Sequence, residues 1–188
     1  LLGYLKGNPL GSGQPVPIGN DGDGDPGRRL AFWQDRYVVQ IWARQDLPEA
    51  DLQAFGQGLA ALLPTGGERP ALVARLPQAL RRERALTYFH QQLSIDSELW
   101  LGEENLLGLG PETEGLLVHL PGEGEARRLL LIRYPDAGAA AVAADALTAG
   151  SVKGFAACRA HRNLLAALFG SVAPEEADRL LTETLGSE

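Results

Sequence analysis

The stretch RLAFWQDRYVVQIWARQ, residues 29–45, decides the fold that we predict for this chain. It is rich in β-branched and aromatic residues, which favour strands, and its polar break at Gln34-Asp35-Arg36 is typical of a tight hairpin turn. After the break, residues of two sets alternate: Tyr37, Val39 and Ile41 in one, and Val38, Gln40 and Trp42 in the other. Because successive side chains of a strand point to opposite faces, this order predicts a strand with one strongly apolar face.

A helix is predicted directly after the hairpin. Asp46 is the expected cap, Pro48 an early proline and Glu49 an acid of the first turn. The helix is predicted to end near Leu63, before a proline and two glycines. Four apolar residues at three- and four-residue spacing are expected to share its inward face: Leu52, Phe55, Leu59 and Leu62.

A similar order returns in residues 126–150, where an apolar strand, a Pro-Asp boundary and an alanine-rich helix follow one another. Two such strand-turn-helix units are either a pseudo-repeat or the recurrence of a common arrangement. Around the second unit the sequence predicts further elements: strands at 115–120, 152–160 and 164–169, a turn at 121–124 and a final helix within 171–185.

The fold class follows from the order of these elements. Residues 68–111 have mixed periodicity and are expected to form short helical or irregular pieces. We predict an α+β fold, an antiparallel sheet with helices packed on one face, because short hairpin connections favour antiparallel strands. Residues 1–27, rich in Gly, Pro and Asp, are predicted to form a flexible segment, and residues 28–188 a single domain.

Composition argues against several classes of protein. A net charge of −7 and a pI near 5.0, without a basic stripe, argue against a nucleic-acid partner. The single cysteine, Cys158, excludes an internal disulfide and a cysteine-based zinc cluster, and its small apolar neighbours favour a structural role. No stretch of the chain approaches the roughly 20 apolar residues of a transmembrane helix.

The run GNDGDGDPG, residues 19–27, begins like a calcium loop. Three aspartates match loop positions 1, 3 and 5: Asp21, Asp23 and Asp25. However, Pro26 stands where the loop needs a glycine and Phe32 where it needs a glutamate. The pattern therefore favours a flexible polar loop, with weak calcium binding by the three aspartates as the alternative, and no other cofactor is predicted.

Candidate site residues are few. The three histidines, His90, His119 and His161, lie in no zinc-binding spacing. If residues 152–160 form a strand, Cys158 and His161 point to opposite faces and cannot act together. The residues that we expect at a ligand site are two aromatic and two titratable side chains: Trp33, Trp42, His119 and His161.

Three functions are compatible with these residues. The first is a non-catalytic, exported domain that binds a protein partner or small ligand on a sheet face or aromatic groove. The second is an enzyme of unknown reaction that uses His119 or His161 with a carboxylate. The third is a calcium-stabilised module.

Structural motifs spread over residues 28–185 match a known pattern. The matching residues are Leu30, Phe32, Trp33, Tyr37, Val39, Ile41, Leu76, Pro77, Tyr88, Phe89, Tyr134 and Pro135, ahead of a helix at 139–146. In these motifs the chain resembles an uncharacterised bacterial family, a domain of unknown function seen mostly in predicted exported proteins. The resemblance implies an extracytoplasmic location, periplasmic or secreted, and supplies no catalytic residues.

The N-terminal part of that family includes an Ile-Asn-Gly-Gly segment that has no counterpart here. The sequence also contains no methionine and begins LLGYLKG. We therefore expect that an N-terminal part is missing from this chain, and removal of a signal peptide is one way to produce such a start.

Overall fold

The computed structural model describes residues 13–35, 37–68, 70–82, 86–102, 104–121 and 126–186. The chain divides into two compact units, Leu1–Arg69 and Pro70–Glu188. The predicted α+β class is confirmed, since antiparallel sheets of four and five strands occur together with three α-helices in the described ranges. Two parts of the predicted turns, Arg36 and residues 122–124, lie outside these ranges.

The first unit is a meander of four strands followed by a helix. Its elements are β1 (Gln14–Val16), β2 (Asp21–Asp25), β3 (Arg29–Gln34), β4 (Tyr37–Trp42) and α1 (Glu49–Leu62). Each strand is antiparallel to the next, in the order β1-β2-β3-β4. The hairpin predicted from the opening stretch is confirmed, because Gln34 pairs with Tyr37 and Asp35 in the turn has a φ of 52°.

Helix α1 covers one face of this sheet. Leu52 of the helix packs with Leu30 and Phe32 of β3 in a small buried cluster. The Gln34 amide donates hydrogen bonds to the carbonyls of Ala60, at 2.9 Å, and Leu63, at 3.2 Å. These bonds satisfy carbonyl groups that the end of a helix leaves without partners, so the last residue of β3 holds the end of α1.

Two details predicted for α1 are wrong. The helix begins after Pro48 without a side-chain cap, and Asp46 instead pairs with Arg28 at 2.6 Å. Phe55 and Leu62 do not face the sheet, since 58% and 81% of their surface is exposed. The buried stripe passes through Gly56, where a Cβ atom would lie 2.2 Å from a methyl group of Leu30, so the helix approaches the sheet through a glycine.

The second unit is a five-stranded sheet with two helices. Its elements are three short 3₁₀ turns (Ala71–Arg75, Leu80–Arg82, Gln92–Ser94), β5 (Leu86–Phe89), β6 (Glu114–Leu120), β7 (Arg127–Arg133), α2 (Ala137–Ala149), β8 (Phe155–His161), β9 (Leu164–Phe169) and α3 (Pro174–Leu185). All neighbours are antiparallel, in the order β5-β6-β7-β9-β8. Every strand and helix predicted in residues 115–185 is confirmed, whereas β5 was missed because its four residues are all buried and show no alternation.

The helices of the second unit lie against opposite faces of its sheet. Ala143 of α2 packs in one cluster with Ala167 of β9 and Cys158 of β8. On the next residue of β8, Arg159 donates a hydrogen bond to Asp178 of α3 at 2.8 Å. Because neighbouring residues of a strand point to opposite faces, α2 and α3 cover different faces. The sequence predicts helices on one face of the sheet. The first unit has this arrangement, whereas the second unit has a helix on each face of its sheet.

The division of the chain also differs from the prediction. The boundary lies at Arg69 rather than near residue 28, and β1 and β2 occupy part of the segment predicted to be flexible. Alternating Asp and Gly residues such as those of β2 are typical of turns. In the structure, however, Gly24 lies opposite Leu30, on the face of the sheet that α1 covers. A Cβ atom there would lie 2.6 Å from the Arg29 carbonyl oxygen, so close packing requires this glycine.

Candidate functional site

The outer edge of β4 is open among the residues that the structure describes, because β4 is the last strand of its sheet. Just beyond the strand, the Ala43 N–H donates to the Arg28 carbonyl at 2.8 Å. Hydrogen-bonded pairs alternate along an antiparallel ladder, so Ile41 and Val39 also direct their backbone groups towards β3. The N–H and C=O groups of the residues between them, Val38, Gln40 and Trp42, therefore point to the open edge.

The same three residues carry their side chains on the face opposite α1. Val39 and Ile41 pack against the buried cluster below the helix, so Val38, Gln40 and Trp42 project the other way. All three are exposed, Val38 at 39% and Trp42 at 61%. We call these three residues, with their backbone groups, the β4 edge. It combines backbone groups that have no partner strand among the described residues, a large aromatic ring and no charge.

The two tryptophans predicted at a ligand site differ in access. Trp33 and Trp42 lie on the same face, but only 6% of Trp33 is exposed. Trp42 lies opposite Arg29 in the ladder, with the guanidinium carbon 5.8 Å from its ring centre. Stacking on a cation restrains the indole, so Trp42 is the accessible member and Trp33 belongs to the interior.

The three aspartates of the predicted calcium site lie along one face of β2. The buried guanidinium of Arg29 reaches two of them, at 3.1 Å from Asp23 and 3.0 Å from Asp25. It therefore supplies the positive charge that a cation would bring to these carboxylates. Within the described ranges, no group of three or more His, Cys, Asp or Glu side chains converges as a metal site would require. Calcium binding by Asp21, Asp23 and Asp25 stays a prediction, and the change in melting temperature on adding calcium tests it.

His119 is the histidine that the structure places beside a carboxylate. Its Nε2 lies 2.9 Å from Oε2 of Glu98, whose side chain is almost fully buried. The hydroxyl of buried Thr87 donates to the other oxygen of Glu98 at 3.1 Å. A buried carboxylate with this hydrogen bond orients the imidazole ring through Nε2. No sequence signal pointed to Glu98, because it lies in an irregular segment with no motif.

His161 is far from this pair. His119 lies in β6 and His161 in β8, three strand spacings apart, which corresponds to about 14 Å. His161 follows Arg159 by two residues and shares the α3 face, whereas His119 shares the face of Leu117 and α2. The predicted separation of Cys158 and His161 is confirmed, because they lie on opposite faces of β8. The two candidate histidines therefore do not form one site.

Three further titratable groups of the second unit, His90, Tyr88 and Glu114, have structural partners. His90 Nδ1 contacts the Thr113 carbonyl, and its ring packs edge-on against Tyr88 at 5.1 Å between centres. Glu114 forms an ion pair of 2.6 Å with Arg133. Burial, assisted by the charge of Glu114, raises the pKa of Tyr88 to about 12. These contacts are typical of a packed sheet rather than of a reaction centre.

A small cavity lies between the end of β2 and the start of α1. It is lined by residues that include Asp25, Arg29, Glu49 and Gln53 and has a volume of about 30 Å³. This space fits one or two water molecules, whereas pockets for organic ligands measure roughly 300–1,000 Å³. The cavity does not favour a small organic ligand over a protein partner.

Comparisons of this chain with protein-family models, curated proteins and solved structures found no match. The resemblance to the exported bacterial family and the extracytoplasmic location therefore stay predictions. Among the described residues, no helix is long and apolar enough to cross a membrane.

Proposed function

We propose that this chain is a non-catalytic binding domain that takes up an extended segment of a protein partner along β4. The observation that carries the proposal is the β4 edge, whose three outward-facing residues are uncharged and exposed. In strand addition, main-chain hydrogen bonds supply affinity and alternate side chains supply specificity. Val38 and Trp42 would be the specificity contacts.

The absence of protection on β4 supports this function. Soluble proteins guard sheet edges with charges, prolines or β-bulges. The edge strand β8 of the second unit has such devices, since its register shifts between Phe155 and Ala157 and Arg159 places a charge on it. The segment YVVQIW of β4 has no charge and no proline, and it pairs with β3 in unbroken register. An edge of this kind is stable in solution when another strand covers it.

Peptide selection on the full chain tests the proposal. Peptides selected from a random displayed library are expected to lose at least about tenfold in affinity for the Gln40→Pro variant, which lacks the central outward N–H. Leu62→Ala, at the most exposed end of α1, is the control and should bind like the wild type. Circular dichroism of the Gln40→Pro variant checks that the strand survives, and Trp42→Ala gives a second reading without a backbone change.

Amide hydrogen exchange tests the binding mode at individual residues of β4. A bound peptide should protect the amides of Val38, Gln40 and Trp42, while those of Val39 and Ile41, directed towards β3, should not change. Selected peptides that bind all the variants equally and protect no alternate amides would contradict the proposal.

A catalytic function is the second candidate, and the His119–Glu98 pair is the observation that favours it. A base held by a buried carboxylate is suited to proton transfer or to attack on an activated acyl group. Hydrolysis of activated esters should then disappear in His119→Asn and persist in His161→Asn. Equal rates of ester hydrolysis in the two variants would contradict this second candidate function.

A further inference from the structure

We propose that the strand that covers β4 is β4 of a second copy of this chain, antiparallel and related by a two-fold axis at Gln40. This inference rests on the proposed function and names its partner. In the assembly, two four-stranded sheets would join into one continuous sheet through β4, the strand that ends each of them. Such an isologous contact uses the same surface on both chains, so each interaction occurs twice.

The register follows from the backbone directions. A strand added to β4 must offer its own outward-facing groups, which in a second copy are those of Val38, Gln40 and Trp42. With Gln40 opposite Gln40 on the axis, Val38 of each copy lies opposite Trp42 of the other. Pairs of an aromatic and a β-branched residue are favourable across antiparallel strands, and this register forms two of them.

The opposite face of the strand is complementary in the same register. Val39 of each copy lies opposite Ile41 of the other, and both residues already pack against the apolar cluster of their own unit. Pairing would therefore extend one apolar cluster into the next. Because Tyr37–Trp42 carries no charged side chain, a second copy meets no like charge along the strand. The strand is its own complement, which is the reason for choosing a second copy over an unrelated partner.

Sedimentation equilibrium of the full chain over a hundredfold range of concentration tests the inference. The apparent mass of the wild type should rise from 20.1 kDa towards twice that value. Gln40→Lys and Gln40→Glu should each stay monomeric, because like charges would lie opposite one another at the axis. An equimolar mixture of the two variants should dimerise again, since Lys then faces Glu.

The mixture also shows that both variants are folded, because only a folded strand can restore the dimer. Leu62→Lys, which adds a charge to an exposed position of α1, is the matched control and should dimerise like the wild type. A wild type that stays monomeric, or a Gln40→Lys variant that dimerises as strongly as the wild type, would overturn the inference. If the monomeric wild type still binds selected peptides with protection of alternate β4 amides, the proposed function stands and only the identity of the partner is wrong.

Discussion

Strands β4 and β7 occupy equivalent places in two similar stretches of sequence, yet they have opposite environments. Each is the second strand of a hairpin and leads into a helix, in the orders β3–β4–α1 and β6–β7–α2. Strand β7 lies between β6 and β9, and its residues Leu129, Leu130, Leu131 and Ile132 are fully buried. Strand β4 ends its sheet, and Trp42 is mostly exposed.

The difference shows what an apolar strand requires. On β7 the apolar side chains are covered from both faces, and both backbone edges are paired by neighbouring strands. On β4 one face lies below α1, while the other face and the outer edge have no partner strand among the described residues. Strand β7 buries its apolar surface and its backbone edges within its own unit, whereas β4 leaves such a surface available for another chain. The functional proposal is the consequence of this contrast.

The largest expected effect compares the two strands directly. Leu130→Ala on β7 should lower the free energy of unfolding by about 2–5 kcal/mol, because it opens a cavity in a packed core. Val38→Ala on β4 should lower it by less than about 1 kcal/mol, since the side chain is partly exposed and has little packing to lose. Chemical denaturation of both variants gives the two values. Equal losses would contradict the conclusion that β7 is packed more tightly than β4.

The strand beside β7 offers the next test. A Cβ atom on Gly115 of β6 would lie 2.2 Å from the ring of Phe89, which is fully buried. Gly115→Ala should therefore destabilise the chain by about 1–3 kcal/mol through overpacking. Gly110→Ala, where a Cβ atom would meet nothing within 4 Å, is the control and should leave the denaturation midpoint unchanged.

Two glycine-to-alanine substitutions in α1, the helix after β4, are expected to change the stability of the chain in opposite directions. Gly56→Ala would bring a methyl group into the buried Leu30 side chain, and a net loss of about 1 kcal/mol is expected after the gain in helix propensity. Two residues later, Gly58 has open space around it. Gly58→Ala should raise stability by about 0.5–1 kcal/mol. Melting temperatures that shift in the same direction would show that α1 does not pack through Gly56.

The smallest effect distinguishes how the two helices begin. Asp136 caps α2, since its carboxylate accepts the Ala139 N–H at 2.9 Å. Asp136→Ala should cost about 1 kcal/mol. Asp46, the cap that the sequence predicts for α1, forms only an exposed ion pair with Arg28, so Asp46→Ala should cost at most about 0.5 kcal/mol. Thermal denaturation of both variants measures the two losses of stability. A larger loss for Asp46→Ala than for Asp136→Ala would support Asp46 as the cap of α1.

Part of the candidate site could be predicted from sequence. Trp42 was expected at a binding surface because a surface pair of aromatic residues, Trp33 with Trp42, is typical of a binding patch. Its predicted companion Trp33 is buried, although both lie in the same hairpin. Gln40 had no chemical signature, and its place in the proposed interface comes from the direction of its backbone groups. Glu98 was missed because an irregular segment carries no period that points to a partner.

The sequence by itself determined the local structure: the hairpin of residues 29–42, the strands and helices of residues 114–185, and the α+β class. These follow from side-chain alternation, turn residues and apolar spacing, which act over a few neighbouring residues. The tertiary structure alone decided that β7 is central and β4 is an edge, that Arg29 forms ion pairs with two of the aspartates, and that His119 lies beside Glu98. Each of these depends on residues far apart in sequence or on which strands become neighbours, and local pattern does not encode that order.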